Sequence, residues 1–187
     1  VGTLVRVRDT VTEFIPGGAE TGNLSTTNLT FPTVIASEPD HPVPDPVIIG
    51  RGGRVPPNKW VISKNEIDPP INLQDAGDAL ANPFNPGKDG IDFYESLEGM
   101  LVTVEDPVAV SAIRQFGTFS AEVFVLTNNG ADIAPKKART DRGGINLQPS
   151  ADNTGDQNPE RVQSQFDGAP YPAIKVGDRL GDVTGTV

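Results

Sequence analysis

The sequence predicts a mainly β fold of short strands and long loops with one short helix, and three observations carry that expectation. Glycine (20) and proline (18) together fill about a fifth of the 187 residues, and both disfavour helix interiors. Stretches that alternate apolar and polar side chains recur along the chain, rich in Val, Ile and Thr, which is strand periodicity. Turn residues separate these stretches, as in Pro16-Gly17-Gly18, Asn128-Asn129-Gly130 and Gly143-Gly144.

Residues 3–14 (TLVRVRDTVTEF) alternate and predict the first strand, stopped by the Pro16 turn. Residues 29–37 (LTFPTVIAS) predict a second, with Pro32 placing it at an edge or a bulge. Residues 38–57 are dominated by proline, with Val47-Ile48-Ile49 as a short extended piece before the Gly50–Arg54 turn. Residues 60–62 predict another short strand or a core anchor. From 65 to 90 the chain is rich in Asp, Asn and Pro, with a helical turn expected around 74–81. Asp89 is the expected N-cap of a helix over 91–97, with Gly99 closing it. Residues 100–105 (MLVTVE) and 121–127 (AEVFVLT) predict strands, residues 143–147 a brief pairing, and residues 174–187 the last strand. Val1-Gly2 and Val176-Gly177 each lead into a Thr/Val strand. Two ordinary first strands explain this echo, and so does a second module starting near Val176.

These elements predict one β-domain over 1–175 with a long insert at about 38–90. Residues 176–187 are then its last strand or the start of a following module. The chain starts at Val1 and ends inside a strand-like pattern, which reads as a piece of a longer protein.

The net charge is −10, from 25 acidic and 15 basic residues. Such a surface repels nucleic acid and anionic membranes at long range unless cations intervene or basic residues cluster. The chain has no cysteine, which excludes disulfides and thiolate metal sites. No apolar run approaches the roughly 18–20 residues of a membrane-spanning helix.

The succession Gly87-Lys88-Asp89-Gly90-Ile91-Asp92-Phe93-Tyr94-Glu95-Ser96-Leu97-Glu98-Gly99-Met100 is the most specific stretch of the chain. Thr10-Val11-Thr12-Glu13-Phe14 precedes it, and Asn128-Asn129-Gly130-Ala131, Arg142-Gly143-Gly144-Ile145 and Asn158-Pro159-Glu160-Arg161-Val162 follow. Together they resemble the OB-fold-like, non-catalytic module of large bacterial extracellular nucleases, whose endonuclease/exonuclease/phosphatase domain lies further toward the C-terminus. The resemblance implies an OB-like, partly open β-barrel with long loop insertions and one short helix. It also implies secretion, and an accessory role beside the catalytic domain of the same polypeptide, positioning nucleic acid or spacing that domain.

The residues agree with a non-catalytic role for this segment. Its single histidine, His41, sits in Pro39-Asp40-His41-Pro42 and reads as an exposed loop residue. One histidine cannot supply a paired catalytic site. Asp89, Asp92 and Glu95 lie at i, i+3 and i+6 around a Gly turn and are candidate calcium ligands, with helix capping as the plainer explanation. Asp68, Asp75 and Asp78 form a weaker acidic run.

Lys136, Lys137, Arg139 and Arg142 form the one basic cluster, and Arg51 and Arg54 are candidate further phosphate contacts. With Trp60, Phe93, Tyr94, Phe116 and Phe119 as stacking platforms, these would bind single-stranded DNA or RNA; a solvated basic loop and core aromatics explain the same residues. The alternative function is a structural or adhesive extracellular module that self-assembles through its edge strands.

Overall fold

A computed structural model describes residues 2–15, 17–18, 25–61, 84–133, 138–149, 156–168 and 170–187. Among the described residues the chain is mainly β with one short α-helix. Among the described residues the sheets do not close into a barrel. The contacts separate two compact units, residues 1–45 with 64–84 and residues 46–63 with 85–187, where the sequence reading places a single domain.

In the first unit β1 (Gly2–Arg8) pairs antiparallel with β4 (Thr33–His41), and β2 (Val11–Phe14) with β3 (Thr26–Leu29). The expected single strand over 3–14 is broken because Asp9 turns the chain. Its Oδ1 accepts the Thr10 N–H at 2.7 Å and its Oδ2 the Phe31 N–H at 2.6 Å. Pro32 lies between β3 and β4 rather than inside a strand. The proline tolerated within a strand is Pro39, where the β1–β4 register shifts and Asp40 takes a left-handed φ of 58°. His41 is the last, half-buried residue of β4, opposite Gly2, and not a loop residue.

The second unit holds the core. β5 (Val47–Ile49) runs parallel to β6 (Leu101–Val104), and β11 (Val183–Thr186) pairs antiparallel on the other side of β6. Parallel pairing needs a crossover, and α1 (Gly90–Glu95) lies in the connection between β5 and β6. A second sheet centres on β9 (Ser120–Leu126), flanked by β10 (Val162–Asp167), β7 (Val108–Ala109) and β8 (Arg114–Gly117).

Alternation along β9 buries Ala121, Val123 and Val125. Val123 and Val125 pack with Ile49, Phe93, Leu97, Val102, Val104, Val162 and Ile174 in one apolar cluster. A smaller cluster joins Val108, Leu126, Ile133 and Ala138. Burial of these side chains is the main favourable term for this unit.

Four strands were not legible as strands in the sequence: β7, β8, β10 and β3, whose TTNL holds a single apolar residue. β7 has two residues and β8 four, too short for periodicity to register. β10 (VQSQFD) does alternate, burying Val162 and Ser164, but its Gln, Ser and Asp dilute the apolar signal. The expected strand over 174–187 shrinks to Val183–Thr186. The helical turn expected at 74–81 lies outside the described residues.

Candidate functional site

Among the described residues of the second unit, the β8–β9 hairpin presents two exposed aromatic rings on a hydrogen-bonded frame. β8 pairs with β9 through Arg114–Glu122, Gln115–Ala121 and Gly117–Ser120, with the register shift falling at Phe116. A bulge of this kind re-aims a side chain away from the regular ladder. The Tyr171 hydroxyl donates to the Gly117 carbonyl at 2.6 Å, and the Gly168 N–H to the Phe119 carbonyl at 2.8 Å. Tyr171 in turn packs on Phe166 of β10, ring centroids 6.4 Å apart.

The backbone of the tip is thereby pinned while its side chains face outward. Phe116 is 54% exposed and Phe119 53%. The Arg114 guanidinium lies over the Phe116 ring, 4.9 Å from its centroid, and 3.5 Å from Glu122. A planar cation stacked on an exposed ring is a surface on which a nucleobase can stack.

The other predicted aromatic platforms are structural. Phe93 is buried and meets Tyr94 edge to face at 5.2 Å, with the Arg54 guanidinium 5.0 Å from its centroid. Tyr94 donates to the Arg161 carbonyl at 3.0 Å, and burial pushes its phenol well above the ordinary range. Trp60 is half-buried under Lys59.

Of the four described basic candidates, three are likewise engaged. Arg139 donates to the Asn129 and Gly143 carbonyls at 3.1 and 3.0 Å, bracing the loop that leads to Ile145. Arg51 pairs with Asp132 at 2.8 Å, and Arg54 donates to Ser96 Oγ at 2.5 Å. Arg142 is exposed. Lys136 and Lys137 lie outside the described residues, as do Asp68, Asp75 and Asp78.

Asp89 precedes α1 in extended backbone, but its carboxylate does not cap the helix; it is 1% exposed. Asp92 accepts the Asn85 N–H through Oδ2 and ties the approaching chain to α1. Glu95 is half-buried on the same helix. Among the described residues, no three His, Asp or Glu side chains converge as a metal-ligand group.

Sequence reasoning passed over Glu160. It is 6% exposed. Burial, reinforced by the Asp156 charge, raises its pKa from 4.5 to about 7, against the lowering influence of its own backbone N–H and Arg161. In sequence it is one carboxylate in a polar loop; its burial follows from the fold.

The fold and the pinned hairpin thus define a β-rich domain with an exposed aromatic surface. The chain belongs to the family described as domain of unknown function (DUF8508), whose model matches residues 48–187. That match begins close to Pro46, where the second unit starts. No curated protein and no solved structure matches the chain.

Proposed function

We propose that this chain is a non-catalytic accessory domain of a secreted multidomain nuclease, and that the β8–β9 hairpin holds single-stranded nucleic acid for the catalytic domain. The observation that carries the reading is the pair of exposed rings, Phe116 and Phe119, on a pinned hairpin with Arg114 stacked on one of them. The nuclease context rests on the resemblance carried by Gly87 to Met100. Stacking rather than bulk charge supplies the affinity, because the chain carries a net charge of −10.

Fluorescence anisotropy with labelled oligo-dT and oligo-U tests this. Phe116→Ala and Phe119→Ala are each expected to weaken binding by about 1–3 kcal/mol, in line with the loss of one stacked base. Arg114→Ala is expected to reduce the salt slope by about 0.7, one phosphate's worth on a single strand. Absence of binding at low salt, or equal binding by all three variants, rejects the nucleic-acid role.

A specific observation favours a second reading, a structural module that self-assembles through its strands. Every described residue of β1 to β4 is exposed or half-exposed, including Val5, Val11, Phe14 and Val34. Such ribbons offer unpaired edges and apolar side chains to other strands. Filaments in electron micrographs of the purified chain would support it; a strict monomer in sedimentation at high concentration would exclude it.

A further inference from the structure

The two strands of the β1–β4 ribbon differ in charge. β1 carries Arg6 and Arg8 and no acidic residue, whereas β4 carries Glu38 and Asp40 and neither lysine nor arginine. All four side chains are exposed, and among the described residues none of them is ion-paired. Among those residues β1 and β4 pair only with each other, so each keeps an outer edge of backbone N–H and C=O groups outside any ladder. Leu4, Val5, Val34 and Ile35 are exposed on the same ribbon.

A ribbon of two strands is marginal in water, and further strands are what stabilise it. Copies of the chain can join through like edges or unlike ones. Two β1 edges would set Arg6 and Arg8 against the same arginines, and two β4 edges would set Glu38 and Asp40 against the same acids. Like charges across a strand pair destabilise it. A β1 edge beside a β4 edge instead repeats the antiparallel partnership the ribbon already makes. In that register Arg6 faces Ala36, and Glu38, two residues on, is its diagonal neighbour within reach of a long side chain. Pro39, which lacks an N–H, and the left-handed Asp40 end the usable edge of β4, leaving residues 33–38 to meet β1.

We propose that β1 of one copy pairs antiparallel with β4 of a second copy, joining the copies head to tail in one continuous sheet. Resting on the self-assembly reading, this pairing assigns the edges that meet. Each copy offers one basic and one acidic edge, so the contact is heterologous. Such a contact does not pair off into dimers; it runs on into a ring or an open filament. Every interior copy then has β1 and β4 flanked on both sides, which supplies the strands a lone ribbon lacks.

The chain has no cysteine, so single introduced thiols report the pairing. Val5→Cys on β1 and Ser37→Cys on β4 change two exposed residues that face each other in the ribbon. The two full chains are purified separately, mixed in equal amounts at a concentration where sedimentation shows assembly, and oxidised. The expected disulfide joins one variant to the other, in excess of the two same-variant products combined, which is the share random collision gives. Peptide mass mapping identifies each product. Either variant oxidised alone is expected to yield little dimer. Same-variant dimers that equal or outnumber the mixed product overturn the head-to-tail pairing, while sedimentation that still shows assembly keeps the self-assembly reading. A chain that stays monomeric at high concentration overturns both.

Discussion

Glu160 and Tyr94 illustrate how one side chain's surroundings set its chemistry. Glu160 has a folded-state pKa above its unfolded value, so the folded chain binds more protons between about pH 4.5 and 7. Its contribution to stability is complete below pH 4.5 and is lost as pH rises through about 7. Glu160→Gln is therefore expected to flatten the fall in stability over that window, by roughly 3 kcal/mol at most. Urea midpoints measured from pH 4 to 8 check this; an unchanged slope would show that other groups cause it.

Tyr94 bridges α1 to the turn before β10 through the Arg161 carbonyl. Tyr94→Phe is expected to cost about 1 kcal/mol by removing that donor from a partly buried carbonyl. Chemical denaturation measures it.

α1 shows why the most specific stretch of the sequence is specific. Leu97 and Phe93 are fully buried in the main cluster, Tyr94 and Ser96 hold the neighbouring loops, and Gly99 takes a left-handed φ of 71°. These positions are constrained by packing and backbone geometry, which a sequence pattern can record. Leu97→Ala is expected to cost 2–5 kcal/mol, the usual range for a buried leucine. A loss below about 1 kcal/mol in equilibrium unfolding would mean that the helix is not part of the core. The β8–β9 hairpin is the opposite case. Phe116 and Phe119 point outward and contribute contacts rather than core, so their alanine variants are expected to stay within about 0.5 kcal/mol of the parent. That separation lets binding be measured without confounding loss of structure.

The two compact units differ in what holds them. Each described buried core residue belongs to the second unit, whereas β1 to β4 form two-stranded pairings with no buried residue. Two-stranded pairings are at best marginal in water. Hydrogen exchange is therefore expected to be slow at β9, β6 and β10 and faster by orders of magnitude at β1 to β4. Equal protection in both units in the purified chain would show that the first unit's apolar side chains are covered, for instance by self-association.

Periodicity and turn residues were enough to read the β class, the short helix, and the strands at 101–104 and 120–126. Those features arise from local alternation and from Gly, Pro and Asp placement, which the sequence carries directly. Strand pairing was beyond its reach: the parallel β5–β6 partnership, the recruitment of polar β10, and the break at Asp9 depend on residues far apart in the chain. The same holds for the candidate sites. Arg139, Arg51 and Arg54 read as a basic surface until distant carbonyl, carboxylate and hydroxyl partners claimed them, and Glu160 drew no reading until the fold buried it. Charge and hydrogen bonding are spent on whichever groups the packed chain brings within reach, and chain order does not specify that distance.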